Sequence, residues 1–365
     1  MYETVLCFSI VAITYLIERK ERYVHLSVFS QRIVAWQKQY GRHDLPWHSH
    51  DPYAIWVSEI MLQQTQVSVV RDYFIRFMYA FPTVQALAAA EETEVLQMWA
   101  GLGYYSRARY LHQSAQVLVT VYGDKFPQTR QAWQMLKGVG RSTAAAIVAF
   151  AFQKREAILD GNVKRILARV FLIYDIIFNL STERKLWTLA ESLLPDHSKF
   201  MPAYTQGLMD LGASICLKIR PLCCNCPVAN MCGAYQENKT SIIPNRDKKI
   251  EVQNINYFWL LLFNDQQELL VEKRSNQGIW AGLFTPPTFA DDHLMFQWLN
   301  DQGLSTQVCS MPIIKHRLTH RKLNIYPYQV IHPIQTINKR QFYAPNLLKK
   351  MAIPRPFSRL LQQYF

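Results

Sequence analysis

From residue 27 to 234, apolar positions recur three and four apart, the period of helices that bury one face. Turn signals divide this region at Gly41, Asp51-Pro52, Phe81-Pro82, Gly101-Leu102-Gly103 and Gly123, and no stretch of it alternates with period two. Residues 237–250 read ENKTSIIPNRDKKI, a polar, charged, proline-containing segment that predicts a linker. Beyond it the texture changes. Tyr257–Phe263, Glu268–Lys273 and Leu323–His332 read as strands, and Asp292–Leu299 and Phe357–Tyr364 read as helices. The pattern predicts a multi-domain chain: an N-terminal extension (1–26), an all-α domain (27–234), a linker (235–254) and an α+β domain (255–365).

A length of 365 residues suits two cores. Lys and Arg number 40 against 27 Asp and Glu, a net charge of +13 that favours a polyanionic partner, either nucleic acid or an anionic membrane surface. The apolar run Val5–Ile17 is short of the roughly 20 residues of a membrane span. Its basic residues follow it rather than precede it, unlike a secretory signal. No membrane partner is expected, and the extension receives no function.

Of seven cysteines, five fall between Cys216 and Cys232. This clustering points to a reducing compartment and metal binding rather than a disulfide framework. Cys216, Cys223, Cys226 and Cys232 are spaced C-x6-C-x2-C-x5-C, with Cys224 as an extra thiol. Four thiolates in so short a loop suit a 4Fe–4S cluster or tetrahedral zinc. Only one C-x2-C pair is present and no histidine intervenes, whereas structural zinc sites usually have two such pairs or a histidine. Lys218 and Arg220 would give the loop a cationic face.

Three further segments carry candidate chemistry. In Leu136–Ser142, Gly138 and Gly140 flank Val139 between two helical patterns, so the backbone can turn sharply and offer amide N–H groups at a helix start. Such a turn by itself is an ordinary helix–helix connection. Twenty residues on, Asp160-Gly161 precedes the apolar pattern Val163, Ile166, Leu167, Val170, placing Asp160 as an N-cap that stays ionised at neutral pH. Capping alone accounts for an aspartate there. In Asp51–Gln66, Glu59 shares a helical stripe with Ile55, Leu62 and Gln63. An acid on an apolar stripe lies at its solvent edge or is buried, and burial would lift its pKa towards that of a general acid.

Together these strings resemble the MutY-type adenine DNA glycosylases of the helix-hairpin-helix superfamily: LPWH (45–48), SEIMLQQTQV (58–67), GLGYYSRARYLH (101–112), GVGRSTAAAI (138–147), ILDGNVKRILAR (158–169), MDLGASIC (209–216) and the cysteine loop. The resemblance implies an all-α helix-hairpin-helix region with a 4Fe–4S cluster on the four cysteines, followed by a Nudix-like domain. It also implies excision of adenine opposite 8-oxoguanine or guanine in double-stranded DNA by a monomeric, cytoplasmic enzyme. Glu59 matches the acid that protonates adenine, and Asp160 the carboxylate that stabilises the sugar cation. Gln64 and Tyr104 match residues that wedge into the base stack; Ser142 and Gln206 match the adenine pocket; Asn162 matches a residue facing the sugar. Gly138 and Gly140 belong to the phosphate-binding hairpin.

Lyases of the superfamily carry a lysine where Ser142 stands, so a monofunctional glycosylase is implied. Lys164 is close enough in sequence for incidental trapping of the sugar aldehyde. In the second domain Gly278, Trp280 and Gly282 follow the family texture, whereas the acidic metal-binding helix of Nudix hydrolases is missing. The recognition loop, commonly Phe-Ser-His, reads Leu318-Thr319-His320 here, preceded by His316. It keeps a hydroxyl and loses an aromatic face. Lys137 replaces the usual proline of the hairpin. Rival readings are a glycosylase for thymine mismatches or oxidised pyrimidines, and a catalytically silent DNA-binding module.

Overall fold

The computed structural model describes residues 27–123, 125–245, 252–304, 307–318, 320–334, 337 and 340–363. The N-terminal extension and Thr319 lie outside them. In chain order the helices begin with α1 (residues 27–40), α2 (Pro52–Leu62), α3 (Val67–Ala80), α4 (Val84–Ala89), α5 (Glu92–Met98) and α6 (Ser106–Tyr122). They continue with α7 (Arg130–Gln134), α8 (Arg141–Phe152), α9 (Gly161–Val170), α10 (Leu180–Ser192), α11 (Met201–Asp210) and α12 (Gly233–Gln236). The C-terminal part adds α13 (Asp292–Asp301), α14 (Pro345–Leu348) and α15 (Arg355–Leu361). The chain groups into two units, Met1–Phe74 with Val117–Lys248, and Ile75–Gln116 with Lys249–Phe365.

The first unit is helical. Its core joins α1, α8, α9, α10 and α11 through residues such as Ile33, Ala146, Ile166, Leu186 and Leu208. Asp51 starts α2 as its spacing predicts: its carboxylate accepts from the Tyr53 and Ala54 N–H groups at 3.0 and 3.3 Å, and Pro52 occupies the first turn. The helix is buried on almost every side, from Tyr53 through Met61, rather than along one stripe. Trp56 packs against Trp133, their ring centroids 5.7 Å apart, which ties α2 to α7.

α11 runs into one π-helical turn, Leu211–Ile215, closed by the Cys216 N–H donating to the Leu211 carbonyl at 2.7 Å. The added residue lets the chain leave the helix into the cysteine loop. The segment read as a linker is folded over its first half. Ile243 is buried, and the carbonyls of Thr240 and Ile243 accept from Arg169. A polar composition hides such burial because one apolar side chain, Ile243, and two backbone carbonyls make the contacts.

The second unit includes a mixed sheet. Its strands are β1 (Gln253–Leu261), β2 (Leu269–Leu270), β3 (Glu272–Lys273), β4 (Phe284–Thr285), β5 (Thr288–Phe289), β6 (Val308–Ser310), β7 (Ile314–Arg317), β8 (Arg321–Val330) and β9 (Phe342–Tyr343). The main sheet has the order β5-β1-β8-β6, with β7 also paired to β8; β1 and β8 are parallel and the other pairs antiparallel. The predicted strands at 257–263 and 323–332 match β1 and β8, and both predicted helices are present as α13 and α15. β5, β6 and β7 were not legible. They are two to four residues long, too short to display a period.

Candidate active site

Glu59 of α2 and Asp160 ahead of α9 line one cavity of about 1020 Å³ in the first unit. That size is at the upper end of the roughly 300–1,000 Å³ typical of ligand sites. Ile55, Leu62 and Gln63, the stripe partners of Glu59, line it too. Among the described residues Glu59 has no hydrogen bond or ion pair. Burial, reinforced by the negative charge of Asp160, pushes its carboxyl up to about 8.

Asp160 caps α9, accepting from the N–H groups of Asn162 at 3.0 Å and Val163 at 2.8 Å. Both bonds are to Oδ1, so Oδ2 has no hydrogen-bond partner among the described residues. The amides, Arg165 and Lys164 favour the carboxylate, but burial outweighs them and the net shift is upward, against the direction that capping alone predicts. The negative charge of Asp160 thus adds to burial in holding the proton on Glu59.

The hairpin borders the same cavity through Gly140 and Ser142. Gly138 has φ +79°, where a side chain would be strained, and its carbonyl accepts from Gln63 Nε2 at 3.3 Å, fastening the turn to α2. No side chain caps α8. Ser142 Oγ accepts from the Leu159 N–H at 3.0 Å, joining the hairpin helix to the residue before Asp160. Gln64 lines the cavity with φ 58°, and Tyr104, in the second unit, has φ 48°. Left-handed backbone is uncommon for such residues and concentrates at functional sites. Arg107 lies over the Tyr104 ring at 5.5 Å and donates to the Gly103 carbonyl at 3.1 Å.

Two families match the two halves of the chain. The model of the HhH-GPD superfamily base excision DNA repair proteins matches residues 57–192, and that of the NUDIX domain matches residues 258–363. The adenine DNA glycosylase of Buchnera aphidicola subsp. Acyrthosiphon pisum is 35% identical over 345 residues, covering 92% of this chain and 97% of that one. This chain belongs to the adenine DNA glycosylase family. The adenine DNA glycosylase of Homo sapiens is 41% identical over 225 residues, 58% of this chain and 40% of its own length. A solved thermostable thymine-DNA glycosylase superposes with a TM-score of 0.51 at 31% identity, covering 58% of this chain and 97% of that one. The protein is accordingly an adenine DNA glycosylase of base excision repair, a hydrolase of N-glycosyl bonds.

Gln206 and Asn162, both named from the sequence, line this glycosylase's cavity, whereas the residues that hold them escaped the sequence reading. Gln206 is buried, donating from Nε2 to Asp210 Oδ1 at 2.8 Å, while its Oε1 lies 3.4 Å from His48 Nε2. Asp210 is buried too, and Arg42 secures it through its backbone N–H (3.0 Å), Nε (2.7 Å) and Nη2 (2.7 Å). Asn162 lines the cavity, its Oδ1 accepting from Arg165 at 3.0 Å. Arg165 also donates to the carbonyls of Cys216 and Gly212, each at 2.8 Å. Asn162, Arg165 and Arg169 stand three and four residues apart, on one side of α9. In the fold both arginines are buried against the cysteine loop.

Lys164 is placed differently from its expectation. It is absent from the cavity lining; its Nζ pairs with Glu183 at 2.9 Å and lies over the Phe178 ring at 5.4 Å. The reason is helical geometry: residue 164 follows the pocket-facing 162 by two positions, which turns it to the opposite side of α9.

Cys216, Cys223, Cys226 and Cys232 line one small cavity, walled by Ile166, Val170, Leu211 and Val228. Burial and mutual repulsion push the Cys226 thiol up to about 12, and Cys223 and Cys232 are raised for the same reasons. Arg169 Nη1 lies 3.4 Å from Cys216 Sγ. Among the described residues no three metal-binding side chains converge on a single ion; the thiols surround a space. Four soft donors, an apolar wall and a buried guanidinium fit an iron–sulfur cluster, whose irons each take one thiolate.

In the second unit, His320 is exposed at the tip of the β7–β8 hairpin, and its carbonyl accepts from Gln253 N–H at 3.3 Å. Trp280 (φ 57°) is buried near Tyr257, Trp259 and His316, with centroids 5.9–6.1 Å away. Burial, with Arg359 and Arg355 nearby, lowers the His316 pKa. No helix among the described residues is long and apolar enough to cross a membrane.

Proposed function

We propose that this glycosylase removes adenine paired with 8-oxoguanine or guanine in double-stranded DNA, as a monofunctional, monomeric, cytoplasmic enzyme carrying a 4Fe–4S cluster on Cys216, Cys223, Cys226 and Cys232. The observation that carries the reading is the pair of carboxyls on one cavity, with Glu59 protonated near neutral pH beside the negative charge of Asp160. The adenine flips out of the duplex into the cavity. Glu59 gives its proton to N7, and the base leaves with the electron pair of the glycosidic bond. Asp160 Oδ2 faces the resulting oxocarbenium sugar, lowering its energy. Glu59, now a carboxylate, takes a proton from the water that attacks C1′.

Gln206 and Ser142 contact the base, and Asn162 the sugar. Gln64 and Tyr104 fill the space vacated in the stack. The uncapped start of α8, with Gly138 and Gly140 before it, binds a phosphate. With Ser142 in the hairpin and Lys164 engaged by Glu183, neither of these two positions offers a free amine to form a Schiff base. The cluster, when bound, supplies a structural cross-link that keeps Lys218 and Arg220 towards phosphate; it takes no part in the bond cleavage. The loop 318–320 reads the opposite base, Thr319 through its hydroxyl and His320 through its ring.

Duplexes with A opposite 8-oxoguanine, A opposite G, or T opposite G test this reading. Alkali-labile sites are expected at A in the first two duplexes, with no borohydride-trapped adduct at stoichiometric yield. Release of thymine alone would overturn the substrate assignment.

A further inference from the structure

The strands that lead to the 318–320 loop have two unlike faces. The register pairs His316 with Leu323 and Ile314 with Ile325, and both β8 residues are buried. The other face carries Lys315 opposite Asn324 and Arg317 opposite Lys322. Across the parallel pairing it continues to Asn254 beside Lys322 and Asn256 beside Asn324, whose Nδ2 donates to Asn256 Oδ1 at 3.1 Å. One step further along β8, Tyr326 stacks on Phe258 with centroids 4.9 Å apart. Lys315, Arg317 and Lys322 are exposed, and none has an acidic partner among the described residues.

Arg317 directly opposite Lys322 is an unfavourable cross-strand pair, because like charges face each other at close range. Folding alone gives no reason for that pair, whereas a polyanion laid across the face would turn the repulsion into attraction. The surrounding groups are amides and an aromatic edge, which donate to or pack beside a sugar–phosphate chain and repel none of it.

We propose that this outer face of β1, β8 and β7 binds the phosphate backbone of the DNA strand that carries the base opposite adenine. The proposal rests on the reading of loop 318–320 as the base reader, since that loop ends the same ribbon. Three cations on three phosphates contribute a salt dependence of about 0.9 each to the slope of log affinity against log salt.

The test uses the full chain with Lys315→Gln, Arg317→Gln and Lys322→Gln combined, and duplex binding by anisotropy across a salt series. The slope is expected to become shallower by about 2 to 3, with the single-turnover excision rate at saturating enzyme unchanged. The exposed pair Lys349→Gln/Lys350→Gln removes charge elsewhere on the unit and is expected to leave the slope within about 0.5 of the parent. An unchanged slope in the triple variant overturns the proposal and leaves the face to an acidic protein partner; an equal per-charge change in the control also overturns it, assigning the effect to net charge. Thr319→Ala separates the two readings. A lost 8-oxoguanine preference with an intact triple-variant slope rejects the face alone, and an unaltered preference with a shallower triple-variant slope rejects the reader alone.

Discussion

The cavity around Glu59 and Asp160 and the ribbon of β7 and β8 answer opposite electrostatic demands. The cavity puts two acids where neither has a salt-bridge partner among the described residues, and burial raises both carboxyls. The ribbon spreads Lys315, Arg317 and Lys322 over an exposed surface where water screens them. Chemistry needs the first arrangement, because a general acid must hold its proton near neutral pH. Backbone recognition needs the second, because counterion release requires cations that are solvated until DNA arrives. A substitution that keeps shape should therefore be severe in the cavity and mild on the ribbon.

The largest effect is expected from Glu59→Gln, which removes the acid and retains its volume. Single-turnover excision should fall by about 10³-fold or more while duplex affinity changes little; retention of a tenth of the rate would place the acid elsewhere. Asp160→Asn keeps a cap acceptor and loses the charge facing the sugar, and a fall on the order of 10²–10³-fold is expected in the same assay. The pH profile of kcat/KM sharpens the assignment. The protonated form of Glu59 is the active one, so the rate should decline about tenfold per pH unit above about 8. On the acid side it should decline as Asp160 takes a proton, at a pH above the usual aspartate range.

Cys226→Ser removes one of four thiols from the loop. Iron per chain and its visible absorption should fall together with the melting temperature; full iron content in the variant would exclude Cys226 as a ligand. On the ribbon side, Thr319→Ala should reduce the preference for 8-oxoguanine over guanine by roughly threefold to tenfold, the value of one hydrogen bond. The smallest effect concerns stability. Since the Glu59 pKa lies above its ordinary 4.5, the folded chain loses stability as pH rises from there through about 8. Glu59→Gln should thus melt a few degrees higher than the parent at pH 8.5 and level with it at pH 4. A melting difference independent of pH would mean that the carboxyl is better solvated than its surroundings suggest.

Much of this protein was legible in the chain itself. Helical period, the Asp51-Pro52 start, the Asp160 cap and the spacing of four cysteines are local features, set by backbone geometry and by hydrogen bonds a few residues long. The α+β character of the second half was readable from β1, an apolar β-prone run, and from β8, which is long enough to alternate. Tertiary structure alone decided the rest. Whether Glu59 sits at a solvent edge or inside the protein depends on α8 packing on α2, and no nearby residue encodes that. The burial of Arg165 and Arg169 was not legible, because composition cannot reveal which carbonyls will meet a guanidinium. The turning of Lys164 towards Glu183, the network of Arg42, Asp210, Gln206 and His48, and the like-charged Arg317–Lys322 pair all join residues distant in sequence or on different strands. Local sequence specifies the elements and the reactive groups; desolvation and partnership, which set their chemistry, arise only when those elements pack.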